Sequence, residues 1–179
     1  MIYKERTLKK RLLYRGKAVN FYADTVQMPD GKKAIREYTG HPGAAACLPI
    51  LPGGRIILVR QYRYPVKKIM LEAPAGKISE NETPLKCIRR ELAEETGMSA
   101  GKFIRLGKFH PTCAFSTETI HLFAALNLKK SRLNPDDDEF IEKVVINFDR
   151  AMELVKKGQI SDSKTIILLL LWKNFQSER

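Results

Sequence analysis

The spacing of apolar positions changes several times along this chain, and each change marks an element. Residues 19–28 (VNFYADTVQM) are rich in β-branched and aromatic side chains, Pro29-Asp30-Gly31 is a turn signal, and residues 34–38 supply a returning strand. A hairpin of this kind has a thin core of its own and is expected to pack on something larger. His41-Pro42-Gly43 then punctuates the chain, dividing an N-terminal strand appendage, residues 1–40, from a main domain, residues 41–179. The run AAACLPIL at 44–51 reads as a buried strand, Pro52-Gly53-Gly54 as a turn, and residues 55–62 as a central strand. A short strand at 69–71 leads into Glu72-Ala73-Pro74-Ala75-Gly76. Thr83-Pro84 opens a helix that Gly97 closes, since threonine caps, proline suits the first position and glycine accepts the left-handed end. Three more strands follow, at 103–109, 119–128 and 144–148, the first two joined by a loop over 110–118. Asp149 is expected to cap a helix over 150–157, and a last helix over 163–175 carries the core-packing run IILLLLW. Together these predict an α+β fold: a mixed β-sheet sandwiched between helices (α/β/α), with the antiparallel strands appended in front.

The helix opened by Thr83 is where the chemistry gathers. It bears Arg90, Glu91, Glu94 and Glu95 in succession. At about 100° per residue, Glu91 and Glu95 fall about 40° apart, with Glu94 on the same side. Carboxylates three and four residues apart repel, so a helix keeps them where a counter-charge is present. Arg90 reaches Glu94 at i,i+4, and one guanidinium does not neutralise three acids. An acidic, oxygen-rich face on a rigid element suits a hard divalent cation such as Mg²⁺ or Mn²⁺.

Composition narrows the classes. Hydrophobic residues make up 44% and charged residues 29%, which excludes a disordered chain. The N-terminus has scattered charge and no apolar core segment, so it is not expected to be a secretory signal. The longest apolar run, residues 166–172, is too short to span a bilayer, and a soluble protein with no membrane partner is expected. Cys47, Cys87 and Cys113 are widely spaced without a C-x-x-C, which argues against structural zinc and a disulfide framework and for a reducing cytoplasm. His41, His110 and His121 lack the spacing of a catalytic zinc site. The net charge of +12 is concentrated in residues 4–17, where Glu5 is the single acid. A basic surface serves nucleic acid or an anionic small substrate. With no nucleic-acid-binding motif beside it, the small substrate is the expected partner.

Residues 76–98 read Gly76, five residues, Glu82, seven residues, then Arg90-Glu91-Leu92-Ala93-Glu94-Glu95-Thr96-Gly97-Met98. This resembles the Nudix box, G-x5-E-x7-R-E-U-x-E-E-x-G-U with U a bulky apolar residue, at every fixed position. The flanks VRQYRYPVKKIMLEAPAGKI, REYTGHPGA, HPTCAFSTETIHLFAA, DDDEFIEKVV and GQISDSKTIILL are similar to the ADP-ribose pyrophosphatase branch of the Nudix hydrolases. The resemblance covers nearly the whole chain.

What it implies is a metal-dependent hydrolase that cuts ADP-ribose to AMP and ribose 5-phosphate, with GDP-mannose or another nucleoside diphosphate sugar as the alternative substrate. A non-catalytic ADP-ribose sensor and an RNA pyrophosphohydrolase are the rival classes. Glu91 and Glu95, with the backbone carbonyl of Ala75, are the implied Mg²⁺ ligands; Mn²⁺ is an alternative ion and Glu94 a further contact. Arg90 orients the glutamates, and Glu82 braces the loop. Glu118 matches the general base of the branch, although Pro111-Thr112 stands where relatives often have Pro-Gly; a box glutamate is the alternative base. Arg63 and Arg36 match arginines that hold the diphosphate or adenosine half, with Arg60 a weaker candidate. Glu37 is implied to hydrogen-bond the adenine, and Tyr22 or Phe21 to stack on it. In this branch the N-terminal strands exchange between two subunits, so a homodimer is expected.

Overall fold

The protein is described from a computed structural model over residues 3–131 and 140–178. Of the segment DDDEFIEKVV, residues 136–139 lie outside the described residues. Two compact units are present: Met1–Gly43 with His110–Thr119, and Ala44–Phe109 with Ile120–Arg179.

The first unit is a four-stranded antiparallel sheet built on β3 (Asn20–Gln27). Strand β4 (Lys33–Gly40) pairs with one edge of β3 through the turn at Pro29-Asp30-Gly31, where Gly31 takes φ 85°. The other edge is shared by β1 (Arg6–Lys9) and β2 (Leu12–Arg15), a single run broken by a bulge. Buried Asp24 holds that break: its carboxylate accepts from the Arg11 N–H at 3.0 Å and from the Tyr38 hydroxyl at 3.0 Å. These first two strands were not predicted. Their residues are exposed and carry no alternation, so only pairing with β3 makes them strands.

The second unit centres on β5 (Ala44–Leu51), buried on both faces. It pairs in parallel with β10 (Ile120–Lys130) and antiparallel with β6 (Arg55–Arg63) and β8 (Ala75–Lys77). Strand β9 (Met98–Phe109) flanks β10; β7 (Lys68–Glu72) and β11 (Glu142–Asn147) flank β6. Successive side chains on a strand point to opposite faces, and here each face has its own helix layer. Ala45, Cys47, Phe123 and Ala125 meet Cys87, Ile88 and Leu92 of α1 (Pro84–Thr96). Ala46, Leu48, Leu122 and Ala124 meet Ala151 of α2 (Phe148–Lys156) and Leu168, Leu169 and Trp172 of α3 (Ser163–Ser177). The mixed sheet between helices is as predicted.

Local signals placed α1 well. Thr83 accepts from the Lys86 N–H at 3.3 Å, and Gly97 closes the helix at φ 66°. The start of α2 differs from expectation: Asn147 is the cap, and Asp149 is the residue whose N–H it receives, at 2.9 Å. Both side chains are competent acceptors, and β11 runs to Asn147, so the helix begins earlier.

Candidate active site

In the second unit, the chain leaves β7 through Ala73-Pro74, passes along β8 and enters α1 through a polar loop. Glu82 fastens that loop. Its carboxylate accepts from the Ser79 N–H at 3.0 Å and from Arg90 Nε and Nη2 at 3.2 Å each. The Arg90 fork, then Ser79, hold the Glu82 carboxyl below its usual range. From the same guanidinium, Nη1 reaches Glu91 Oε1 at 2.7 Å and Glu94 Oε2 at 2.9 Å. One arginine therefore gathers three box acids, more than the i,i+4 pair alone, and it is held protonated by Glu82 first and then by Glu91 and Glu94. Glu95 turns toward the strand, accepting from the Ala75 N–H at 3.1 Å.

Gly76 explains how the strand and helix come so close. A Cβ built on it would fall inside the Glu91 carboxylate. Only a residue without a side chain leaves that acid its place over β8. Beneath, the Cys87 thiol faces the carbonyls of Gly76 and Lys77 at 3.5 Å each. Burial, then Glu91 and Glu82, push this thiol up to about 12, so it stays protonated. Burial, then Glu95, push the Cys47 thiol well up as well.

The donor chemistry fits a hard divalent cation: several carboxylates and a strand carbonyl, all oxygen, on one helix and its neighbouring strand. Among the described residues no three acid, cysteine or histidine side chains already form a metal cage. Arg90 holds Glu91 and Glu94 by one oxygen each, and the Ala75 N–H holds one oxygen of Glu95.

Arg63, at the end of β6, is gripped in a fork. Its Nε and Nη2 each donate to one oxygen of Glu72 at 2.9 Å. Glu72 is 2% exposed and also accepts from Lys164 Nζ. Burial works to raise the Glu72 carboxyl, yet Arg63 and Lys164 outweigh it and hold the group ionised. The Glu72 fork, with further help from Glu95 and Asp162, holds Arg63 protonated against its burial. Glu72 and Lys164 were not singled out from the sequence. The N-cap pattern Asp162-Ser163-Lys164-Thr165 was the available signal, whereas the pairing of β6 with β7 was not legible. Arg60 instead pairs across the strands with Glu142 at 2.6 Å, both exposed.

The first unit assembles the other predicted residues. Arg36 and Glu37 of β4 line a cavity of about 350 Å³ with Asp24, Tyr38 and Phe115. Arg36 is paired with Glu5, its Nε donating at 2.9 Å, in an exposed fork. Tyr22 has one ring face stacked on Tyr38, centroids 5.1 Å apart, while Phe21 is exposed. The loop bearing Glu118 is zipped onto β4: the Thr39 N–H donates to the Phe115 carbonyl at 2.9 Å, and the Thr117 N–H to the Thr39 carbonyl at 3.0 Å. Thr117 also bonds both backbone groups of His41, whose Nδ1 lies 3.7 Å from Glu118 Oε1. His110 Nδ1 meets the Glu118 carbonyl at 3.1 Å. Glu118 thus sits in a hydrogen-bonded loop in which Thr112 follows Pro111.

Residues 40–169 match the NUDIX domain family. The chain belongs to the Nudix family. This Nudix protein is 36% identical over 163 residues to the ADP-ribose pyrophosphatase of Bacillus subtilis (strain 168), covering 90% of its own length and 88% of that relative. It is also 36% identical over 168 residues to the methanol dehydrogenase activator of Bacillus methanolicus, covering 93% of itself and 91% of the relative. The GDP-mannose pyrophosphatase of Yersinia enterocolitica is 36% identical over 145 residues, with 75% of each chain covered. Among solved structures, that of an ADP compounds hydrolase superposes with a TM-score of 0.86 over 98% of this chain and 95% of that one, at 20% identity, which establishes a shared fold.

Proposed function

We propose that this Nudix hydrolase cleaves the diphosphate of a nucleoside diphosphate sugar with Mg²⁺, and that ADP-ribose, cut to AMP and ribose 5-phosphate, is its substrate. The observation that carries this reading is the box itself: Arg90 gathering Glu82, Glu91 and Glu94 beside a glycine whose added Cβ would strike Glu91. The B. subtilis relative favours ADP-ribose and the Yersinia relative keeps GDP-mannose as the second reading.

Glu91 and Glu95, with the Ala75 carbonyl, are the residues that would hold the ion, and Glu94 would contact a second ion or its waters. When bound, a divalent ion supplies charge neutralisation at the diphosphate and lowers the pKa of water. Glu118 accepts the proton of the attacking water, a role supported by a loop whose backbone is held by His110 and Ser116. Arg63 presents the guanidinium edge not taken by Glu72 to a phosphate, and Arg36 does so once Glu5 is displaced. Glu37 hydrogen-bonds the adenine. Arg90 orients Glu91 and Glu94, and positioning supplies much of the remaining rate.

We assign residues 1–40 to dimerisation and the adenine side of the site, and residues 41–179 to the hydrolase domain. The N-terminal sheet supports a homodimer because Leu12, Leu13, Tyr14, Phe21 and Ile35 are exposed on it. A monomer in light scattering that remains fully active would overturn the dimer. Among the described residues all three cysteines are free thiols, which favours the cytoplasm; no helix there is long and apolar enough to cross a membrane.

The deciding experiment is phosphate release coupled to phosphatase, with Mg²⁺, on ADP-ribose, GDP-mannose, ADP-glucose, diadenosine polyphosphates and 5′-triphosphate RNA. ADP-ribose turnover lost in both Glu91→Gln and Glu95→Gln is expected. Turnover of GDP-mannose alone would replace the substrate and keep the chemistry. Binding of ADP-ribose with no turnover of anything would make the protein a sensor.

A further inference from the structure

The start of α3 carries a chain of alternating charges of which the proposed reaction uses only the last member, Arg63. Arg63 donates twice to Glu72, Glu72 accepts from Lys164, and Lys164 Nζ donates to Asp162 Oδ1 at 2.9 Å. Asp162 in turn caps α3, accepting from the Thr165 N–H at 3.0 Å and from the Thr165 hydroxyl at 2.5 Å. That hydroxyl, its one proton directed to Asp162, accepts from the Ala73 N–H at 2.7 Å. Two cations alternate with two anions, so the cluster is neutral as a whole. Glu72 and Thr165 are buried, and the side chains of Lys164 and Asp162 are 11% and 15% exposed.

Both ends of this chain reach the candidate site by separate routes. One end is the Arg63 guanidinium, whose orientation is fixed by the two-point fork to Glu72. The other is the backbone at Ala73, two residues before Ala75. The backbone between them is tied down again where the Cys47 N–H donates to the Pro74 carbonyl at 2.9 Å. A cluster this buried and this well satisfied is rigid, because turning any member strands a charge or a donor.

We propose that Asp162, Lys164 and Thr165 are positioning residues that set two parts of the site independently: Lys164 aims Arg63 through Glu72, and Thr165 fixes the backbone presenting the Ala75 carbonyl. This rests on the roles given above to Arg63 and Ala75.

The test measures binding without turnover. ADP-ribose affinity is read by calorimetry in metal-free buffer, and Mn²⁺ affinity by electron paramagnetic resonance without nucleotide. Lys164→Met is expected to weaken ADP-ribose about tenfold while leaving Mn²⁺ within about twofold. Thr165→Val is expected to do the reverse, and Lys164→Arg and Thr165→Ser to restore most of each loss. If Lys164→Met does not fold, Glu72→Gln reads the same arm; if Thr165→Val does not, Thr165→Ala reads the second. Loss of both affinities together in either variant, or of neither, overturns the inference. Arg63→Ala is the control: if it leaves ADP-ribose binding unchanged, the role of Arg63 is wrong. If it weakens binding while Lys164→Met does not, the positioning role is wrong.

Discussion

Each unit of this protein holds an arginine in the two-oxygen fork of a glutamate, and the two settings are opposite. Arg36 and Glu5 lie in the open, on β4 and just ahead of β1. Arg63 and Glu72 sit where Glu72 is buried and shared with Lys164. The two forks use the same guanidinium nitrogens, Nε and Nη2, so the difference comes from water. An exposed pair is screened and easily exchanged for solvent or a ligand, whereas a buried one cannot be broken without leaving a charge stranded. The first unit offers a guanidinium held loosely, and the second offers one already aimed.

The largest effect that sharpens this contrast is expected at Gly76. Gly76→Ala should lower kcat about a hundredfold or more while the melting temperature hardly moves, because the clashing atoms are the end of the Glu91 side chain and not backbone. A steep fall in melting temperature would show that the glycine serves the fold instead. In the first unit, Glu118→Gln should cost about 10²-fold or more in kcat with KM nearly unchanged. An unaltered rate would move the base to a box glutamate.

The forks themselves come next. Glu72→Ala should destabilise by about 3–5 kcal/mol in denaturant unfolding, since it leaves Lys164 with Asp162 alone and takes both acceptors from the Arg63 fork. Glu5→Ala should leave the unfolding midpoint where it is, and a shift comparable to that of Glu72→Ala would break the contrast. The depressed Glu72 carboxyl adds a pH window. A group with a lowered native pKa contributes stability above its unfolded value, near 4.3, and that stability is lost as pH falls through the native value. Lys164→Met should therefore move the acid-unfolding midpoint to higher pH; an unchanged midpoint would remove Lys164 as the cause. The smallest effect is on substrate: Glu5→Gln should lower KM for ADP-ribose by a factor of about two to five, by releasing Arg36. A raised KM would make Glu5 part of the site.

What could be read from the sequence followed the range of the interactions. Helix α1 was legible because its cap at Thr83, its end at Gly97 and its acids lie within one short stretch. The continuous apolar run that becomes β5 was legible too. The fork between Arg63 and Glu72 was not, because it depends on how β6 pairs with β7 around the left-handed Lys67. Strands β1 and β2 were invisible for the same reason: a basic, exposed run becomes a strand only when Asp24 and β3 receive it. Of the three helix acids set against Arg90 in the sequence, Glu91 and Glu94 are its partners; the third partner is Glu82, folding back from the loop, while Glu95 turns to the Ala75 N–H.

Strand β5 has one more consequence, for how such a gene can change. Its odd and even residues belong to two different cores, Ala45 and Cys47 to one and Ala46 and Leu48 to the other. Point changes there alter one side at a time. Gaining or losing a single codon would exchange the two sides over the rest of the strand. Length variation in descendants of this chain should therefore collect in the surface turns and be missing from residues 44–48.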